Sequence, residues 1–582
     1  MSRTDTKTAP RTPAATPAGL TFLGEPLADA VTRGWRGPLL AALVVLISAL
    51  PGLLALPPLD RDESRFAQAS AQMLETGDYV NIRYQDAPRD KKPVGIHWLQ
   101  VASVAMLSRV EARAIQPYRL PSLLGGMIAA AACAWGAAGV LGARRSALAG
   151  AVLGATVLLS SEAFIAKTDA VLCGSVTLSM AALARLYLSA RRGEALGRSL
   201  KALFWIGQGV ALLDKGPIGP MIAALTLLSL WAVDRDLRWA RKLGWVWGLG
   251  IVLLIVGPWA VAITVATDGK FWGSAVGGDL APKLRGGHEG HAAPPGTHVL
   301  TTLLLFFPAV ALLPGALVTL WRRRDEALVR FAGCWLVPSW LVFEATPTKL
   351  IHYTLPLYAP LAWLAAASLE QPVGRITRWI GVAFSLLSGF GFAAIVMLAT
   401  HKLGGGGPLG AVAALTAALA LMSGAMGAFA IFTAGATDER TVPALGSALV
   451  FGVAFHMLMS GAILPALSPL WPSRLAARMV ARDHLDPRNG VTQGPVVAAG
   501  FAEPSLVFQL GTATDLGDAS DAVDGLAEGQ PALVEQREDA AFRRLLAQRH
   551  VAAQAVDQVS GLNYSSGKPV TLTLWRAPPA AP

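Results

Sequence analysis

The run Val94-Gly95-Ile96-His97-Trp98-Leu99-Gln100-Val101-Ala102-Ser103-Val104-Ala105-Met106-Leu107-Ser108, closed by Arg109, decides the topology of this chain. It is apolar but carries His97 and Gln100, and it falls short of the roughly 20 residues that span a bilayer as a helix. Read as an interfacial helix that does not cross, it fixes the parity of everything after it. With Arg33 and Arg36 inside, five basic clusters then also fall inside: Arg144/Arg145, Arg191/Arg192, Arg235/Arg238/Arg241/Lys242, Arg322/Arg323/Arg324 and Arg375/Arg378. All obey the rule that cytoplasmic loops carry the Lys and Arg excess. If the run crossed, every one of them would lie outside.

Outward from that stretch the chain is a succession of apolar segments: 37–57, 119–142, 146–165, 169–190, 200–213, 217–233, 243–266, 298–321, 329–345, 351–369, 379–400, 409–434 and 442–465. These predict an α-helical polytopic membrane protein with about thirteen transmembrane helices, 200–213 being short for a span. The N-terminus is expected in the cytoplasm and the C-terminus outside. Composition agrees, with 53% hydrophobic and only 15% charged residues, against roughly 25% charged in soluble domains. The net charge of +11 is accounted for by the inner loops. No basic face interleaved with aromatics suggests nucleic acid. Cys133, Cys173 and Cys334 all lie in apolar runs and read as small core hydrophobes, with neither disulfide nor metal spacing.

Residues 1–36 are Ala/Pro/Thr-rich and basic and read as a disordered cytoplasmic leader; residues 37–470 form the membrane domain. From 471 to 582 the composition turns polar and mixed. Short β-type runs at Val496–Ala499 and Val570–Trp575, an apolar Ser505–Leu510 and a helical Asp539–His550 predict a small α/β domain outside the membrane.

The chemistry-capable residues sit on the outer side of this map. The first outer loop, 58–118, contains Asp60-Arg61-Asp62-Glu63-Ser64-Arg65-Phe66-Ala67, then Gly77-Asp78-Tyr79, then Asp90-Lys91-Lys92-Pro93. Asp62 and Glu63 follow a membrane exit, where a carboxylate serves as a general base or holds a cation. Lys92 is a point charge suited to phosphate. Three further outer junctions carry Lys: Lys167-Thr168-Asp169, Asp214-Lys215-Gly216-Pro217 and Thr348-Lys349-Leu350-Ile351-His352-Tyr353. Lysine outside opposes the topology rule, so its recurrence points to an anionic ligand. The outer loop 267–297 carries His288 and His291, with His298 at its edge. As a pair in a Gly/Pro loop they read as solvated rather than as metal ligands.

The order and spacing of Asp62-Glu63-Ser64-Arg65-Phe66-Ala67, Gly77-Asp78-Tyr79, Lys92-Pro93 and Trp98 resemble the first periplasmic loop of ArnT-like glycosyltransferases, relatives of the protein O-mannosyltransferases. Lys167-Thr168-Asp169 is similar to that family's second acidic site, Lys215-Gly216-Pro217 to a K-G-P step, and Lys349 with Tyr353, Pro356 and Tyr358 to a later outer segment. The chain departs from the pattern at Lys91 and Val94, and it lacks a clean His–Arg motif in the later outer loop. The resemblance covers roughly residues 37–370.

It implies a GT-C fold and an inverting glycosyltransferase of the bacterial inner membrane. Such an enzyme moves a sugar from a polyprenyl-phosphate donor to lipid A or another envelope lipid, glycan or protein. The implied catalytic residues are Asp62, Glu63 and Asp169; the substrate-binding residues are Arg65, Lys92, Lys215, Lys349 and Tyr353. No cofactor is required by the resemblance, though a divalent cation is compatible with it, and no metal ligand is assigned. The alternative is a transporter or flippase of lipid-linked envelope precursors. It predicts charges at the bilayer midplane and repeated, broken helices, whereas these charges cluster at outer junctions.

Overall fold

The computed structural model describes residues 30–285, 292–404, 407–434, 438–489 and 494–578. The leader up to residue 29 and both His288 and His291 lie outside the described residues. Every apolar segment is helical, and eight helices among the described residues are long and apolar enough to cross a membrane. The expected span 119–142 and the first part of 146–165 lie within Gln116–Ala155, which is broken at Gly142 (φ 75°), and Val157–Glu162 follows as a separate short helix. Two expected spans are short helices and two are broken. Arg198–Lys215 and Ile218–Asp234 are 18 and 17 residues. The 298–321 segment divides into Thr297–Leu305 and Val310–Arg322 around Pro308, a residue that cannot donate to a helix ladder. The 351–369 segment opens as a 3-10 turn, Ile351–Leu357, before Tyr358–Ser368.

Composition decides which helices are central. Thr168–Arg191 is rich in Ala, Ser, Gly, Thr and Cys, and 89% of its apolar window is buried. Small residues let helices approach closely where lipid supplies no hydrophobic drive between them. Trp245–Ala266 is more apolar, yet only 11% of its window is buried; Leu253, Leu254, Val261 and Val265 face outward. That distribution is stable only against lipid.

The deciding stretch forms a 13-residue helix, Gly95–Leu107. At 1.5 Å per residue it is about 20 Å long, against a hydrocarbon core of about 30 Å. It buries Ile96, His97, Gln100, Ser103 and Val104 while exposing Leu99, Met106 and Leu107, so its polar face meets protein and its apolar face is turned out. The rest of the first loop is more ordered than its charge suggests. Asp62–Thr76 is a helix that buries Phe66, Ala69 and Met73 at i, i+3 and i+7. Gly77 ends it in the left-handed conformation (φ 71°), which glycine adopts without steric cost. The Asp78 carboxylate then accepts the N–H groups of Val80 and Asn81.

The C-terminal part carries a five-stranded mixed sheet in the order Asp515–Gly517, Val497–Ala499, Ala532–Glu535, Lys568–Arg576, Gln554–Asn563. The first three strands run parallel and the last two are antiparallel. Helices Pro504–Leu510, Ala519–Ala527 and Asp539–Arg549 accompany it.

Candidate active site

Asp62 and Glu63 are adjacent in sequence, but the helix they begin turns them to different partners. Glu63 is fully buried in a two-pronged ion pair with Arg119, at 2.8 Å through Nε and 2.8 Å through Nη2. Its oxygens also accept the N–H groups of Leu59 and Ala166, each at 2.8 Å. Arg119 in turn donates to the carbonyls of Leu56 and Pro57 at 2.8 and 2.9 Å, closing the end of the helix Arg36–Ala55. This unit ties the first helix, the loop helix and the junction before Lys167 together, and leaves Glu63 no oxygen for substrate.

The Asp62 side chain is half-buried and, among the described residues, has no hydrogen-bond or ion-pair partner; the same holds for the Arg65 side chain, and Lys92 has no ion-pair partner. All three line a cavity of about 770 Å³, within the 300–1,000 Å³ typical of ligand pockets. Lys215, His352 and Tyr353 line it from two other junctions, Arg89 from the first loop, and Ala502, Glu503 and Pro504 from the C-terminal part. Phe66 forms a platform: the Arg89 guanidinium lies 4.3 Å and the Lys92 ammonium 4.9 Å from its ring centre. Lys92 is presented by Pro93-Val94-Gly95. A Cβ on Gly95 would lie 2.7 Å from the Leu213 carbonyl, so glycine permits the contact that sets this loop against the Asp214–Lys215 junction.

Behind the cavity lies a paired network. Asp169 is ion-paired with Lys215 and sits 3.5 Å from Lys167. His352 Nε2 is 3.6 Å from Asp169, and Lys167 lies 3.0 Å from Glu162. Lys167 Nζ donates to His352 Nδ1 at 3.3 Å. Asp169 therefore does not line the cavity but holds Lys215, whose ammonium stands 5.4 Å from the Tyr353 ring centre. Lys349 does not line it either; it is buried and donates to the Thr346 carbonyl at 2.7 Å, while its neighbours Thr348 and Leu350 reach the wall.

The field in the cavity is positive. Burial pushes the Asp62 carboxyl up, but Lys92, Lys167 and Arg89 outweigh it and hold the group at about 2. Burial, with Lys215 beside it, brings the Lys92 ammonium down to about 8 despite Asp62 and Asp169. An anion bound beside it would raise it again. No cluster of three or more His, Cys, Asp or Glu suited to a metal occurs among the described residues. His298, fully buried beside Glu344 and Lys349, does not line the cavity.

Reading the sequence missed Arg119, Arg89 and the wall at 502–504. Arg119 did carry a signal: it is a lone charge at the head of an apolar run, where an unpaired arginine is costly.

No family model matches the chain. It is 28% identical over 344 residues to the undecaprenyl phosphate-alpha-4-amino-4-deoxy-L-arabinose arabinosyl transferase of Pectobacterium carotovorum, covering 57% of this chain and 60% of that protein. The protein of the same description from Pseudomonas aeruginosa is 27% identical over 357 residues, covering 60% and 63%. The match thus spans about three fifths of the length of these curated relatives. The crystal structure of ArnT from Cupriavidus metallidurans bound to undecaprenyl phosphate superimposes with a TM-score of 0.70 at 19% identity, over 92% of this chain and 97% of that one. From membrane helices to C-terminal sheet, this chain has the ArnT fold.

Proposed function

We propose that the chain is a membrane glycosyltransferase that moves a sugar from a polyprenyl-phosphate donor to an envelope acceptor. The observation that carries the reading is the convergence of Asp62, Arg65, Lys92, Lys215 and Tyr353, from three separate junctions, on one cavity. The relatives named for transfer from undecaprenyl phosphate, and the shared fold, support the same reading. The transporter alternative finds no support: Lys167 caps one helix and Lys215 ends another, so both charges stand at helix ends.

In this reading Lys92 and Lys215 neutralise the departing phosphate, Tyr353 donates to it, and Arg65 adds a two-pronged donor. Asp169 keeps Lys215 aimed and Glu63 braces the scaffold. Asp62 is ionised at every physiological pH. A carboxylate at about 2 is a poor proton acceptor, because a general base works best near the ambient pH. Asp62 instead favours the positive charge that develops at C1 as phosphate leaves, and it orients the acceptor. This assignment suits an acceptor that needs no deprotonation, such as a lipid phosphate of lipid A. A single in-line displacement inverts C1. The cavity opens outside the cytoplasm, with the arginine-rich helix ends inside and residues 471–582 on the periplasmic side.

The test is transfer in proteoliposomes supplied with undecaprenyl-phosphate-linked sugars and envelope lipids, read by mass spectrometry. A glycosylated lipid with inverted anomeric configuration is expected. Movement of intact donor across the bilayer without transfer would favour the flippase instead.

A further inference from the structure

The residue just before Asp62 is held in a conformation it would not choose. Arg61 has φ 63° and ψ −110°, a region that costs a non-glycine residue free energy and persists only where its surroundings fix it. What fixes it comes from 440 or more positions along the chain. The Asp60 N–H donates to the Tyr564 hydroxyl oxygen at 2.6 Å. The Arg61 guanidinium donates to the Ser565 carbonyl at 2.8 Å. The Ser505 hydroxyl meets the Asp60 carboxylate and lies 2.6 Å from the Ser473 hydroxyl. Further along the helix Gln68 donates to Thr512 at 2.7 Å, so the C-terminal part grips the loop helix at two points.

We propose that Tyr564 and Ser505 are positioning residues for Asp62. They clamp the Asp60–Arg61 turn, and through it fix the carboxylate relative to the lysines that receive phosphate. The C-terminal sheet is then a working part of the site rather than an appendage. Neither residue lines the cavity, so neither touches substrate there. The inference rests on the transferase reading for its consequence, but the clamp itself is a statement about backbone order.

Two measurements on the full-length protein in nanodiscs test it. The first is hydrogen exchange of the segment 59–66. Losing one hydrogen bond, by Tyr564→Phe or Ser505→Ala, is expected to speed exchange about fivefold to tenfold, with the melting temperature otherwise held. Unchanged exchange in both variants overturns the clamp, whatever the protein transfers. The second is a double-mutant cycle on turnover. Tyr564→Phe is expected to lower kcat about tenfold at unchanged donor KM, and to cost nothing more once Asp62→Asn is present. An equal loss in the Asp62→Asn background overturns the claim that Tyr564 acts through Asp62. If the wild type transfers no sugar, the proposed function fails, and the exchange result alone decides the clamp.

Discussion

Three helices carry charged groups at or near both ends, and the two ends differ in the charge gathered around them. Thr168–Arg191 starts beside Lys167 and ends at Arg191; Ile218–Asp234 starts after Lys215 and ends at Asp234; Ala327–Ala345 starts near Arg330 and ends before Lys349. At the arginine end, Asp234 takes Arg330 at 2.6 Å, Arg191 at 3.7 Å and the Tyr187 hydroxyl at 2.7 Å. Glu370 takes Arg323, and Arg145 at 3.5 Å. Asp234 and Glu370 are thus each held by at least two neighbours. At the cavity end Asp169 is held too, but Asp62, Arg65 and Lys92 face an open volume. Charge abundance therefore does not mark the site, since both ends have it. What marks the candidate site is half-buried charge that lines a cavity and whose ion-pair partners are not found among the described residues.

The sharpest way to break this contrast lies inside the cavity end, in the pair Asp62 and Glu63. If Glu63 is a brace, Arg119→Ala leaves a buried carboxylate uncompensated and is expected to cost about 3–5 kcal/mol, read as a lower unfolding midpoint in detergent. Asp62→Asn is expected to leave that midpoint unchanged while impairing turnover. Equal midpoints in both variants would erase the distinction between brace and site.

A smaller effect sharpens the comparison through pH. In the proposed reading donor binding uses the Lys92 cation, which burial and Lys215 bring down to about 8. Affinity for a polyprenyl-phosphate sugar should be flat below that pH. Above it, affinity should fall, approaching about tenfold per pH unit. Lys92→Arg, whose guanidinium stays charged above pH 12, should remove the fall. A fall that persists in Lys92→Arg would assign it elsewhere.

The smallest effect is at the arginine end. Arg145 is partly exposed and 3.5 Å from its carboxylate, so Arg145→Gln is expected to change stability by about 0–1 kcal/mol and transfer not at all. A large loss of transfer would show that the two ends are coupled.

Much of this was legible in the sequence, for physical reasons. Apolar runs report helices because lipid demands them, and lysines outside the rule for inner loops exposed the junctions at 167, 215 and 349. The adjacency of Asp62 and Glu63 was not decodable. Successive residues on a helix point about 100° apart, and which direction met Arg119 depended on the packing of Gln116–Ala155 against Arg36–Ala55. Lys349 looked like its fellow junction lysines, yet the turn at Thr346–Lys349 satisfies it locally. The wall at Ala502–Pro504 and the grip of Tyr564 on Asp60 join positions more than 400 residues apart. No local pattern encodes such a contact.

The most direct test of the central claim is to locate the phosphate. A cryo-EM structure of the protein in nanodiscs with undecaprenyl phosphate is expected to show the headgroup in the cavity, within ion-pair distance of Lys92 and Lys215. A headgroup seated instead among Arg145, Arg323 and Arg330 would contradict the account.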